Sequence, residues 1–194
     1  MTTYYAYVDS PIDPLLITTD GRSLTRLYMD AHKNGETVKP AWVLNDEHPV
    51  LRETARQLAA YFAGDLTDFD LPLAPAGTGF QQRVWKELLA IGYGETQSYR
   101  EVARRLGEPN ASRAVGLANG SNPISIVIPC HRVIGANGKL TGYGGGLPRK
   151  AALLDFEKAV LTSGARTMSK LTQISLFATA EIDPSAALAV GQAS

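Results

Sequence analysis

The first 30 residues gather their apolar positions into three short runs rich in Tyr, Ile, Thr and Leu: Tyr4 to Val8, Leu15 to Thr19 and Leu24 to Met29. Ser10-Pro11-Ile12-Asp13-Pro14 and Asp20-Gly21 stand between them, and such punctuation marks turns between strands. Residues 31–45 read as a loop. After Asp46-Glu47-His48-Pro49 the period changes. Leu51, Ala55, Leu58, Ala59 and Phe62 recur at helical spacing, and Gly64 supplies a stop.

Residues 64–79 hold Asp65, Asp68, Asp70, Pro72, Pro75 and Gly77 and read as a linker. Residues 80–91 return to helical spacing, with Phe80, Val84, Leu88 and Ile91 on one face. Ser98-Tyr99-Arg100-Glu101 has the Ser-x-x-Glu form of a capping box, which predicts a short helix through Leu106. Gly107-Glu108-Pro109-Asn110 stops it. A second short helix is expected over residues 111–119, an extended apolar segment over 125–129, and a last helix over 147–160. The expected division is therefore an N-terminal lobe with linker at 1–77, a second lobe at 78–160, and a tail at 161–194 to which no role is assigned.

Two short helices joined by a Gly/Pro turn have the spacing of a helix-turn-helix. The second would carry Ser112 and Arg113 among the small residues Ala111, Ala114, Gly116, Ala118 and Gly120. So little bulk lets a helix approach a DNA backbone closely, and so few long polar groups read few base edges. The alternative is a small-residue helix packed in a core, where an unpaired Arg is costly.

Composition fits a globular chain: 44% hydrophobic and 20% charged over 194 residues. No stretch approaches the roughly 18 apolar residues of a membrane span. MTTYYAYVDS lacks a basic region followed by an apolar run, so no secretory signal is read and the cytoplasm is expected. Net charge is zero, yet residues 1–77 carry 6 basic and 11 acidic side chains, and residues 78–158 carry 11 and 6. That asymmetry hints at nucleic acid, although such a basic segment is often only a solvated face.

The one cysteine, Cys130, excludes an internal disulfide, and His32, His48 and His131 show no metal-ligand spacing. Cys130 ends the apolar run Ser125-Ile126-Val127-Ile128-Pro129, where the proline stops strand pairing. His131 and Arg132 follow, and either can lower a thiol pKa. Adjacent strand residues point to opposite faces, so a direct Cys130–His131 contact needs a turn or a bridging water. A base is usually oriented by a third group: Glu157 is the candidate and Asp155 the competitor. Gly142-Tyr143-Gly144-Gly145-Gly146 allows close approach of a flat ligand and reads as a pocket wall rather than a loose surface loop.

The run Ile128-Pro129-Cys130-His131-Arg132-Val133 resembles the active-site signature of the O6-alkylguanine-DNA alkyltransferases. Phe80-Gln81-Gln82-Arg83-Val84-Trp85, Tyr93-Gly94-Glu95-Thr96, Ser112-Arg113-Ala114-Val115-Gly116 and Asn122-Pro123 agree with it, and the resemblance covers roughly residues 4–160. It implies an α+β fold: a ribonuclease-H-like sheet in the N-terminal lobe and a mostly helical C-terminal lobe with a helix-turn-helix. It further implies direct repair, in which O6-alkylguanine in duplex DNA gives its alkyl group irreversibly to Cys130, without metal or cofactor, in a monomer bound at the minor groove. O4-alkylthymine is left open as a second substrate.

Residue by residue, Cys130 matches the acceptor, and His131 and Glu157 its hydrogen-bond relay, with a water between thiol and imidazole. Asn122 matches the residue that supports the active-site turn. Arg113 matches the arginine that fills the space of the flipped nucleotide, with Ser112, Ala114 and Gly116 beside it on the DNA helix. Tyr99 matches the tyrosine that donates to guanine N3. Tyr143, Gly144, Gly145 and Val133 match the base pocket. The chain departs from some members at Gly144, where they carry a hydroxyl, and it lacks the cysteines of their structural zinc site. Two other readings are a non-catalytic protein that binds alkylated DNA and a cysteine hydrolase built on Cys130 and His131.

Overall fold

A computed structural model describes residues 2–29 and 38–163. The three expected strands form as β1 (Tyr4–Val8), β2 (Leu15–Thr19) and β3 (Leu24–Met29). They pair antiparallel in sequence order, and β4 (Val43–Leu44) adds to β1 in parallel, giving the order β3-β2-β1-β4. β4 lies in the stretch expected as a loop; two residues are too short to show a period, and residues 31–37 of that stretch lie outside the described ones.

Helix α1 (Pro49–Ala63) follows the N-cap His48 and ends at Gly64, whose φ of 79° is the left-handed cap that glycine adopts without strain. Its buried face is Leu51, Thr54, Gln57, Leu58, Tyr61 and Phe62. Ala59, expected inside, is exposed. The face is turned because polar Gln57 has a buried task. Its amide donates to Asp70 O at 2.7 Å and accepts from Asp70 N at 2.8 Å, tying the linker to the helix.

α2 (Gly79–Leu89) opens on a capping box between Thr78 and Gln81, one residue earlier than the spacing suggests. α3 (Tyr99–Arg105) opens on the Ser98/Glu101 box as expected, and α4 (Ser112–Gly120) follows. Trp85 pins α2 to α4 by donating Nε1–H to Ala118 O at 2.8 Å. α5 (Leu147–Ser163) closes the described chain, so the tail from 164 onward lies outside the described residues. A parallel pair, β5 (Gln97–Ser98) with β6 (Val133–Ile134), links the start of α3 to the segment after Cys130. Among the described residues no helix is long and apolar enough to cross a membrane.

The outer edge of β3 is not left bare. Leu24 N donates to Pro72 O and Ala74 N donates to Leu24 O, so the linker lies along one end. Leu27 N donates to Pro123 O and Ser125 N donates to Leu27 O, so the segment leading to Cys130 lies along the other. One buried cluster continues from Ile17 and Leu27 on the sheet through Tyr61, Trp85 and Ile128 to Leu153 and Phe156.

Residues 125–129 differ from expectation. They are not a strand. After one bridge from Ile124 to Leu27 the chain folds into consecutive tight turns. Val127 N donates to Ser125 O at 2.8 Å around Ile126, whose φ is 69°. Cys130 N donates to Ile128 O at 2.8 Å around Pro129, whose φ of −80° and ψ of 61° make an inverse γ-turn. The apolar run reflects burial rather than extension: Ile124, Ile126, Val127 and Ile128 are all buried. A short buried run has no period that separates a strand from a turn.

Candidate active site

Asn122 replaces the hydrogen bonds that a strand would have supplied. Its amide donates to Ile128 O at 2.8 Å and to Ile124 O at 3.4 Å, and accepts from Ile124 N at 3.0 Å. Asn119, at the end of α4, donates to Cys130 O at 3.3 Å. The chain is then delivered into a 3-10 turn, Cys130–Arg132, in which all three side chains are buried. Ile126 bears the cost of this path. A β-branched residue at positive φ is strained by about 1–3 kcal/mol and persists only where its surroundings hold it.

Burial pushes the Cys130 thiol above its ordinary range. A hydrogen bond from Asn122, the Lys150 cation and the N–H groups of Cys130 and His131 pull it back down. The cation that acts on the thiol is thus Lys150 on α5, rather than His131 or Arg132, its neighbours in sequence. Lys150 is fully buried and donates to Val133 O at 2.6 Å and Thr141 O at 2.8 Å. Burial brings it down to about 8. Beside Arg149 at the start of a helix, it carries no local sign of burial in the sequence.

His131 turns away toward α5. Its Nε2 meets Glu157 Oε1 at 2.9 Å, and its Nδ1 has no hydrogen-bond partner within the protein. Arg132 forks onto the same carboxylate at 2.9–3.2 Å and donates to Ile91 O at 2.6 Å. Tyr61 OH donates to Glu157 Oε1 at 2.8 Å and Gly94 N to Oε2 at 3.0 Å. Burial alone would raise the Glu157 pKa, but the contacts with His131 and Arg132 outweigh it and hold the carboxyl down at about 2. Asp155, the competitor, is exposed. Because Glu157 stays ionised, His131 Nε2 carries the hydrogen, and Nδ1 keeps the lone pair of a base. Burial lowers the His131 pKa and so keeps the ring neutral.

Around this centre, Tyr99 donates its hydroxyl to Thr141 O at 3.0 Å, and burial raises its pKa. Tyr143 is pushed well up by burial and lies close enough to Cys130 to feel its charge. Gly145 is buried and Gly144 half-buried beside it. Val133 is fully buried, and its carbonyl holds Lys150. On α4, Arg113 and Ala114 are exposed and Ser112 and Gly116 half-exposed, so this face is not packed in a core. A Cβ on Gly116 would lie 3.8 Å from the Tyr99 ring, so the DNA-helix candidate and the pocket candidate are adjacent. Among the described residues no cluster of His, Cys, Asp and Glu is arranged to hold a metal ion.

The family model described as 6-O-methylguanine DNA methyltransferase, DNA binding domain, matches residues 79–159. The companion model, 6-O-methylguanine DNA methyltransferase, ribonuclease-like domain, matches residues 3–75. The chain belongs to the 6-O-methylguanine DNA methyltransferase family. Within that family it is 54% identical over 156 residues to a methylated-DNA–protein-cysteine methyltransferase of Mycobacterium tuberculosis, covering 80% of this chain and 93% of that one. It is also 54% identical to one from Methanosarcina acetivorans, covering 79% and 97%. A crystal structure of Mycobacterium tuberculosis OGT in complex with DNA superposes with a TM-score of 0.76 at 52% identity, covering 87% and 98% of the two chains. The mixed α+β architecture of the 6-O-methylguanine DNA methyltransferase family, with its ribonuclease-like N-terminal part, is thus the architecture of this chain.

Proposed function

We propose that this protein repairs DNA by taking the alkyl group of O6-alkylguanine onto Cys130, once per molecule. The observation that carries the reading is the pairing of two features: a cysteine presented on a turn held by Asn122, and a His131–Glu157 pair that leaves His131 Nδ1 as a base.

The chemistry is a displacement. The thiol proton passes to His131 through a bridging water, and the Cys130 sulfur attacks the alkyl carbon. A carbon–sulfur bond forms as the carbon–O6 bond breaks, and the electron pair moves onto the guanine. Tyr99 turns its hydroxyl from Thr141 to guanine N3 and stabilises the charge that develops there. A thioether is a poor leaving group, so the thiol is not regenerated.

The target atom is buried in a duplex, so the nucleotide must leave the stack at a cost of a few kcal/mol. The exposed face of α4 supplies the means. Small residues at Ser112, Ala114 and Gly116 bring the helix against the minor groove, and Arg113 fills the space left by the base. Tyr143, Gly144, Gly145 and Val133 wall the pocket that receives it. Residues 1–77 serve as the supporting lobe and 78–160 as the DNA-binding lobe, and the protein acts as a monomer. A thiol that must stay reduced suits the cytoplasm.

The test is mass spectrometry after incubation with an O6-methylguanine duplex. One methyl mass should appear on the peptide containing Cys130 and be absent from Cys130→Ala. Repeated turnover or an unmodified Cys130 would overturn the reading.

A further inference from the structure

Asp13 lies between β1 and β2 with φ of 92°, a left-handed conformation that favours glycine. Asp tolerates it better than most residues, usually by bonding local backbone with its short side chain. Here the carboxylate reaches elsewhere. It pairs with Arg149 in the first turn of α5, 136 residues away. Ser10 braces the loop by donating to Asp13 O and accepting from Ile12 N.

The same guanidinium donates to Ile12 O at 3.2 Å and to Gly145 O at 2.9 Å. One rigid planar group therefore spans the N-terminal loop and the glycine-rich loop, a reach that a lysine cannot reproduce. Gly145 has no room to yield: a Cβ there would lie 2.5 Å from Met29 Sδ and 3.0 Å from the Tyr143 ring. Gly145 is thus packed between Met29 at the end of β3 and the Tyr143 ring of its own loop, with Arg149 on its carbonyl.

We infer that the Asp13–Arg149 pair is a clasp by which the N-terminal loop fixes Tyr143 and so sets how large an alkyl group the site admits. The inference rests on reading Tyr143, Gly144 and Gly145 as the pocket wall. Neither Asp13 nor Arg149 touches substrate; both are positioning residues. Gly144 offers no hydroxyl to the bound base, so size selection falls to where the wall stands rather than to a side-chain donor. Holding the backbone of Asp13 in a strained conformation is consistent with a fixed anchor.

The experiment compares Cys130 alkylation by O6-methylguanine and O6-benzylguanine placed in the same duplex, read by mass spectrometry. Arg149→Met and Asp13→Gly loosen the clasp; the glycine also relieves the strain at φ 92°, so this variant folds without its anchor. The benzyl-to-methyl rate ratio should rise about fivefold in both, the scale of a partly exposed charge pair. Arg149→Lys keeps the charge and the melting temperature but loses the span to Gly145 O, and its ratio should rise too. A ratio that does not rise, or two rates that fall together with melting temperature, overturns the clasp. A wild-type protein that gains no alkyl mass overturns both this inference and the function on which it rests.

Discussion

Tyr61 on α1 gives its hydroxyl hydrogen to Glu157 on α5 at 2.8 Å, across 96 residues of chain, and both side chains are fully buried. The carboxylate that orients His131 is thus itself oriented from the opposite lobe. Tyr61→Phe should lose about 1.5–3 kcal/mol of stability, the net worth of one bond to a charged group. It should also slow Cys130 alkylation, because Glu157 can then swing away from His131. Thermal unfolding and single-turnover rates check the two effects separately.

Removing the charge is harsher. Glu157→Gln leaves Arg132 buried without its counter-charge, a change that costs about 3–5 kcal/mol. Acid titration tells the same story with a definite sign. Glu157 titrates at about 2 when folded, against 4.5 unfolded, so its stabilisation is present above 4.5 and is lost as pH falls toward 2. His131 is also held below its ordinary 6.5, so the unfolded chain takes up its proton first and stability begins to fall below that pH. Denaturant midpoints measured from pH 7 to 2 should decline in the wild type, and the limb below 4.5 should flatten in Glu157→Gln.

Lys150→Met removes the cation that acts on the thiol together with the hydrogen bonds to Val133 O and Thr141 O. The Cys130 pKa should climb further, and the pH–rate profile for a small alkylguanine should move to higher pH. A thiol titration by absorbance gives the shift directly. An unmoved profile would leave Lys150 with a purely structural part.

Arg113→Ala should separate duplex chemistry from base chemistry. Arg113 is exposed, so stability should change by less than about 0.5 kcal/mol. The rate on an alkylated duplex should fall by about 10–100-fold, since misplacing a reacting group costs on that order. The rate on a free O6-alkylguanine base should hold. Equal loss on both substrates would contradict the role.

Local signals made much of this legible. The strands β1 to β3 announce themselves by composition and by the turns between them, and Ser98 with Glu101 writes its capping box within four residues. Glu157 and Asp155 stand two residues apart, about 200° around a helix, so only one could face the core, and Glu157, the one the family resemblance marks, is the one that does. What stayed hidden depends on long-range contacts. Tyr61 stands outside the apolar positions read for α1, and its bond to Glu157 exists only once α5 is packed against it. Lys150 reads as a solvated lysine until the carbonyls of Val133 and Thr141 converge on it. The turns at 125–129 are dictated by Asn122 side-chain bonds, which leave no trace in apolar spacing.

The edge of β3 gives the two halves of the molecule a shared fate. Its hydrogen-bonding groups are used by the linker at Pro72 and Ala74 and by the approach to the active-site turn at Pro123 and Ser125. A protease nick in the linker would leave one fragment with a bare strand ready to pair with any neighbour, and the other without the template against which its reactive turn is shaped. Neither fragment should outlast the other in the cell. Selection on the chemistry of one half therefore reaches into the sheet of the other.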